Sequence, residues 1–155
     1  MTKQSIRRSE CPITFGLDLF GDKWTLLILR DMLLFGEKHF KDFAQYEGIA
    51  TNVLSDRLSR LEKSGVITKQ RDETLKNQNI YQPTDKGRAM LPMLTEMMMW
   101  GLGYDEQTPA SKTFVCRLAA EREQIVKEAI QAAESRTFTD YRREAMGIDP
   151  NLYEV

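Results

Sequence analysis

Cysteine, histidine and long apolar runs are all scarce in this chain, and each scarcity argues against a class of protein. Two cysteines lie 105 positions apart, which builds no disulfide framework and makes a reducing cytoplasm the expected compartment. The single histidine, His39, has no second histidine or cysteine near it in sequence. No metal site is therefore expected, and His39 reads as a surface residue. The richest apolar run, Trp24 to Leu29, is stopped by Arg30 and Asp31, far short of the ~20 residues of a membrane helix. Residues 1–10 are polar and lack the apolar stretch of a signal peptide. Glycine and proline make up only 14 of 155 residues, so neither a fibrous repeat nor disorder is indicated.

An excess of one charge is also missing. The chain holds 22 Lys+Arg against 23 Asp+Glu, a net charge of −1. That balance hides an asymmetry. Residues 1–100 carry 15 basic and 13 acidic side chains, and residues 101–155 carry 7 and 10. A whole-chain value near zero decides nothing about nucleic acid, because only a local basic face matters for phosphate. Catalytic motifs are absent too: no Gly-rich phosphate loop, no zinc-protease helix and no Gly-x-Ser-x-Gly elbow. Any nucleophile–histidine arrangement would have to run through His39, to which nothing points. Neither an enzyme nor a cofactor is expected.

What the chain does have is enough length for one domain with an appendage, and 41% hydrophobic residues to build its core. Pro12 to Phe20 reads as a first helix, broken by Gly21-Asp22. Lys23 to Phe35 reads as a buried helix ended by Gly36, and Phe40 to Gln45 as a short one before the turn Glu47-Gly48. Thr51 is the expected N-cap of the next helix, Asn52 to Ser64, in which Leu54, Leu58 and Leu61 form one core stripe before Gly65 stops it. Val66–Arg71 and Ile80–Pro83 read as two strands around a polar turn. Pro83 cannot donate to a ladder, so the second strand is expected at an edge. Thr84-Asp85-Lys86-Gly87 opens a long helix to about Trp100. Gly101 to Ser111 reads as a linker, and Phe114, Val115, Leu118, Ile125, Val126, Ala129, Ile130 and Ala133 outline an amphipathic helix.

Helix, short helix, tight turn, helix, hairpin, helix is the order of a winged helix-turn-helix, in which one helix enters the major groove and the hairpin reaches the flanking backbone. The expected fold is thus mainly α with a small β-hairpin wing. Residues 1–104 form the DNA-binding domain with an N-terminal arm, and residues 105–155 a C-terminal helical extension, a candidate dimer contact.

Particular residues narrow this further. Cys11-Pro12, Gly21-Asp22-Lys23-Trp24-Thr25, Leu27-Ile28-Leu29, His39-Phe40-Lys41-Asp42-Phe43 and Gly48-Ile49 come in order. Leu54-Ser55-Asp56-Arg57-Leu58, Leu61-Glu62-Lys63-Ser64-Gly65-Val66-Ile67, Tyr81-Gln82-Pro83-Thr84, Lys86-Gly87 and Trp100-Gly101 follow. Over roughly residues 11–101 the chain closely resembles the HxlR family of bacterial transcription regulators. The resemblance implies a homodimeric DNA-binding regulator without catalytic activity. Pro83 departs from it, sitting where the family usually has an aliphatic residue, and 105–155 has no counterpart in short family members.

On the helix Asn52–Ser64, Asn52, Asp56, Ser59 and Lys63 point away from the leucine stripe, flanked by Val53, Ser55 and Arg60. Taken alone, such a face is ordinary solvated surface. Within this element order it suits base readout, since Asn pairs with adenine edges, Arg with guanine and Asp with the cytosine amino group. The candidate DNA-binding residues are Thr51, Asn52, Ser55, Asp56, Arg57 and Arg60, joined by Lys41 on the short helix and Lys69, Arg71 and Lys76 on the wing as phosphate contacts. Arg57 lies nearer the core stripe, where it either bonds a phosphate or braces the domain, phosphate being slightly favoured.

Met90, Met93, Met97, Met98 and Met99 lack the cysteine or histidine partners of a soft-metal site, so they read as packing. The apolar residues of their helix cover about half its circumference, more than the ~100° that one core needs. That surplus makes Leu91, Leu94, Met97, Met98 and Trp100 candidate dimer contacts. Cys11 is the candidate redox residue, because a helix start and Arg7-Arg8 would make a thiol there more reactive. The alternative is a buried, inert thiol, the reading given to Cys116. No small-molecule effector is legible.

The expected function is a sequence-specific transcriptional regulator, a homodimer on an inverted-repeat operator in double-stranded DNA, with no membrane contact. A winged-helix module that binds a protein is the alternative.

Overall fold

The computed structural model describes residues 9–75 and 77–107, the side chains of 45–47 excepted, together with Ala120, Glu121, Gln124, Lys127 and Gln131. Helix α1, Pro12–Phe20, begins on a proline, whose missing N–H would have had no intrahelical partner there. Asp22 then caps α2, Lys23–Leu34, its Oδ1 accepting from the N–H groups of Trp24 at 3.0 Å and Thr25 at 3.1 Å. Helix α3, Phe40–Glu47, closes on Gly48 at φ +62°, a left-handed conformation that favours glycine.

Helix α4, Thr51–Lys63, corrects one expectation. Ala50, not Thr51, is its N-cap, with the Leu54 N–H donating to Ala50 O at 2.9 Å. Thr51 is the first helical residue and is exposed. Leu54, Leu58 and Leu61 are buried as one stripe, as their spacing predicts. At the far end the Val66 N–H donates to Leu61 O and the Gly65 N–H to Glu62 O, both at 3.0 Å, with Gly65 at φ +72°. This Schellman closure turns the chain directly into the wing.

Strands β1, Ile67–Arg71, and β2, Asn79–Pro83, pair antiparallel with Ile67 opposite Pro83, Lys69 opposite Tyr81 and Arg71 opposite Asn79. As expected, β2 is an edge of this two-stranded sheet. Its outer side is covered at one point only, where His39 bridges to Ile80 and the Tyr81 N–H donates to Lys38 O at 2.8 Å. Pro83 is the last residue of the strand, so its missing donor falls at the end of the ladder.

The helix expected from Thr84 to Trp100 is two helices. Thr84 caps α5, Asp85–Arg88, accepting from the Gly87 N–H at 3.2 Å, and α6 spans Leu91–Tyr104. Pro92 explains the break: it has no N–H to donate to Arg88 O, and its ring would clash with that carbonyl in a continuous helix. Helix α6 also runs four residues past Trp100, through Gly101 and Gly103, which had read as linker. Most of the amphipathic helix expected at 114–133 lies outside the described residues. Within it Ala120, Gln124, Lys127 and Gln131 are helical and exposed, at spacings that keep to one helix face.

The core draws on every element but α5, with α1 touching it only through the partly buried Phe20. Ile28, Leu29, Met32, Leu33 and Leu34 of α2 meet Phe43, Ile49, the α4 leucines, Val66, Ile67, Tyr81, Leu91 and Leu94. Each such buried aliphatic contributes roughly 1.5–3 kcal/mol. Phe43 and Tyr81 pack edge to face, with centroids 6.2 Å apart. The core thereby fixes α4 and the hairpin to one support. No helix among the described residues is long and apolar enough to cross a membrane.

Candidate nucleic-acid interface

Helix α4 turns its leucines inward, and chain geometry then forces the rest outward. Asn52, Ser55, Asp56, Arg60, Glu62 and Lys63 are exposed, and Ser59 is half-buried. Arg60 keeps one tie to the protein, Nη2 donating to Asp18 O at 3.3 Å. The face is short-chained and polar at its N-terminal end and carries its longest cations at its C-terminal end. Lys41 on α3 and Lys69 and Arg71 on β1 are exposed as well. Lys76 lies outside the described residues.

Arg57 makes contacts of the bracing kind, one of the two roles expected for it. Its Nε lies 2.9 Å from Asp22 Oδ1, and its Nη1 pairs with Asp56. The guanidinium therefore ties α4 to the first turn of α2 and braces the domain, rather than standing free for a phosphate. Partial burial alone would push the Asp22 carboxyl up. Hydrogen bonds from Thr25 Oγ1 at 2.6 Å and the Thr25 N–H, the Arg57 guanidinium and the Trp24 N–H outweigh it and hold the carboxyl below its ordinary value. The Gly21-Asp22 pair, legible only as a helix break, thus hides a cap and an ion-pair partner.

His39 is likewise not free surface. It precedes α3, its backbone N–H donating to Asp42 Oδ2 at 3.0 Å. Nδ1 lies 3.2 Å from the same oxygen, and Nε2 lies 2.7 Å from Asp72 Oδ2 at the far end of β1. Asp72 Oδ1 meanwhile accepts from Thr74 N–H at 2.8 Å, Thr74 Oγ1 at 2.6 Å and Leu75 N–H at 3.0 Å. His39 first, then Thr74 and Leu75, hold the Asp72 carboxyl well below the usual carboxylate range. An Asp three residues after His39 is a local signal for half of this arrangement. Nothing local points to Asp72.

The expected dimer residues divide. Leu91 and Leu94 are buried in the protein's own core, so they hold α6 down and are not available to a partner. Met98 is half-buried and packs against that core. Met97 and Trp100 are exposed, and with Met93 and Tyr104 they form a stripe at spacings of four, three and four residues. On α1, Ile13, Phe15 and Leu17 are exposed and no residue of the helix is buried. Cys11 is exposed at the N-cap of α1, and Cys116 lies outside the described residues. No group of three or more His, Cys, Asp or Glu that could hold a metal occurs among the described residues.

A helix pair closed by a left-handed glycine, followed by a hairpin pinned against its supporting helices, defines a winged helix-turn-helix protein. The chain belongs to the HxlR-like helix-turn-helix family, whose model matches residues 19–109. It is 32% identical over 98 residues to the uncharacterized HTH-type transcriptional regulator YdeP of Bacillus subtilis, covering 63% of this chain and 76% of that one. A Mycobacterium tuberculosis relative, the uncharacterized HTH-type transcriptional regulator Rv3095, is 34% identical over 94 residues, which are 61% of this chain and 57% of the relative. The redox regulator HypR in its reduced form superposes with a TM-score of 0.56 at 26% identity, covering 62% of this chain and 95% of HypR.

Proposed function

We propose that this chain is a sequence-specific transcriptional regulator that binds duplex DNA through α4 and the wing, as a homodimer on an inverted-repeat operator. The observation that carries the reading is the outward face of α4. Asn52, Ser55, Asp56 and Arg60 are all exposed on a helix whose opposite side is anchored in the core. Asn52, Ser55 and Arg60 are groups that read base edges in a major groove. Lys41, Lys69 and Arg71 serve as phosphate contacts that set register. The exposed stripe Met93, Met97, Trp100 and Tyr104, together with the exposed Ile13, Phe15 and Leu17 of α1, supports dimerisation by apolar contact. Residues 1–104 then act as the DNA-binding unit, and 105–155 as an extension that adds to the dimer contact.

The test is duplex binding as a function of salt. Arg71→Ala should lower the log–log salt slope by about 0.9, the share of one phosphate. Asn52→Ala and Arg60→Ala should instead relax sequence preference, by roughly 1–3 kcal/mol for a bidentate contact. A correctly folded dimer that binds no duplex in a salt-dependent way overturns the reading and favours a winged-helix module that binds a protein.

A finer reading concerns Cys11, whose thiol is exposed at a helix start. HypR, a structural relative, is a redox regulator. Cys11 would act as a sensing thiol whose modification moves the N-terminal arm and the spacing of the two α4 helices, which half-sites ~34 Å apart tolerate poorly. Diamide should then change DNA affinity in the wild type and not in Cys11→Ser. Equal responses in both proteins overturn it.

A further inference from the structure

We infer that His39 is a positioning residue for the wing: its imidazole latches the end of β1 to the start of α3 and so sets where Lys69 and Arg71 meet the DNA backbone. The inference rests on the DNA-binding reading above and adds to it a residue outside α4 and the wing.

A two-stranded hairpin has little stability of its own. Here its core end is held by Ile67 and Tyr81, which are buried, whereas Lys69, Gln70 and Arg71 are exposed. Toward the tip the hairpin would therefore be free to swing, were it not for two ties at one place. The backbone bridge from His39 to Ile80, made by the Tyr81 N–H donating to Lys38 O, fastens β2 to the chain entering α3. The second tie is His39 Nε2, 2.7 Å from Asp72 Oδ2. Asp72 directly follows Arg71, so this contact fixes the strand end that carries the cation.

The two ends of the latch are themselves held. Asp42, one turn into α3, takes both the His39 N–H and the ring Nδ1, so the imidazole is oriented from behind. Asp72 uses its other oxygen to fold residues 72–75 into a compact turn, and its N–H donates to Gln78 O at 3.0 Å to close the hairpin. The ring is only 12% exposed and Asp72 8%, so water competes poorly for the bond. An ordered wing meets DNA without the entropy loss of ordering it on contact.

The experiment compares wild type, His39→Gln and Asp72→Asn. The asparagine keeps an oxygen for the Thr74 and Leu75 N–H groups, so the turn survives while the charged partner of His39 is removed. Thermal melts establish that each variant is folded. Amide hydrogen exchange at Thr74 and Leu75 should rise in His39→Gln without DNA. The salt slope of duplex binding should fall by about 0.9 for each phosphate the wing gives up. In the His39→Gln background Arg71→Ala should then cause little further fall, because the contact is already lost. General destabilisation would move the melting temperature and leave this coupling absent. Folded variants with wild-type exchange and wild-type slope overturn the positioning role and leave the DNA reading standing. A wild type that binds no duplex overturns both.

Discussion

Asp22 Oδ1 lies 2.9 Å from Arg57 Nε, joining the first turn of α2 to the middle of α4 across 35 residues of chain. The same oxygen caps α2, so one carboxylate both starts the central helix and fixes the roll of the helix proposed to enter the major groove. Asp22→Ala removes the cap and leaves Arg57 without this partner. Loss of the cap alone costs about 0.5–2 kcal/mol. Asp22→Asn keeps a capping oxygen and loses only the charge. Thermal melts should rank wild type above Asp22→Asn and Asp22→Ala lowest. Equal melting of the two variants would mean that the cap contributes nothing.

Gly87 is a packing requirement rather than a flexible joint. A Cβ built there would lie 2.3 Å from Val66 O, a backbone atom that cannot rotate away. Gly87→Ala therefore forces α5 off the Schellman turn, with the roughly 1–3 kcal/mol cost of overpacking. Urea denaturation should show a lower midpoint with an unchanged slope. A midpoint equal to wild type contradicts the packing drawn here.

Acid should loosen the wing. The Asp72 carboxyl titrates below its ordinary range in the folded protein, so its contribution is complete above the unfolded value of about 3.9 and fades as pH falls through the lower folded value. Asp22, lowered by its hydrogen bonds, adds in the same direction. Asp72→Asn should thus be less stable than wild type at pH 7, and the gap should narrow below about pH 4, where the carboxyl of the unfolded chain takes up a proton that the folded one still resists. Denaturant midpoints at pH 7 and pH 3 measure it. A gap that stays constant or widens refutes the assignment.

The exposed stripe on α6 gives a clean dimer test, because Met97 and Trp100 contribute little to their own monomer's core. Met97→Glu with Trp100→Glu should leave the helical signal intact and reduce the scattering mass toward the one-chain value of 18.0 kDa. Wild type already at that mass at micromolar concentration rejects the α6 interface.

Short-range features were readable in the sequence. The leucine spacing of α4, the glycine stops at 48 and 65 and the proline start of α1 each act within one turn of helix, so the local pattern carries them. Thr51 misled because threonine is a good cap, yet Ala50 takes that position, as the Leu54 N–H bond to Ala50 O shows. Pro92 was present to split α5 from α6, but the apolar run on either side masked it. Of the candidate interface, the outward polar face followed from the leucines alone. The roles of Arg57, His39 and Leu94 did not, because each is set by a contact from a distant part of the chain. Asp22 and Asp72 are ordinary surface-type residues until the fold brings them to their partners.

The Val66 carbonyl gathers both feet of the hairpin. It accepts from the Thr84 N–H and from Thr84 Oγ1, both at 3.0 Å, just before β1 leaves and just after β2 returns. The excursion between them is thereby a closed cassette whose exit is bolted to its entrance. Lengthening the tip adds only the slowly growing entropy of a longer loop and does not shift the frame that holds α4. The reach of the wing can therefore change within a lineage of such proteins while the helix beside it keeps its place.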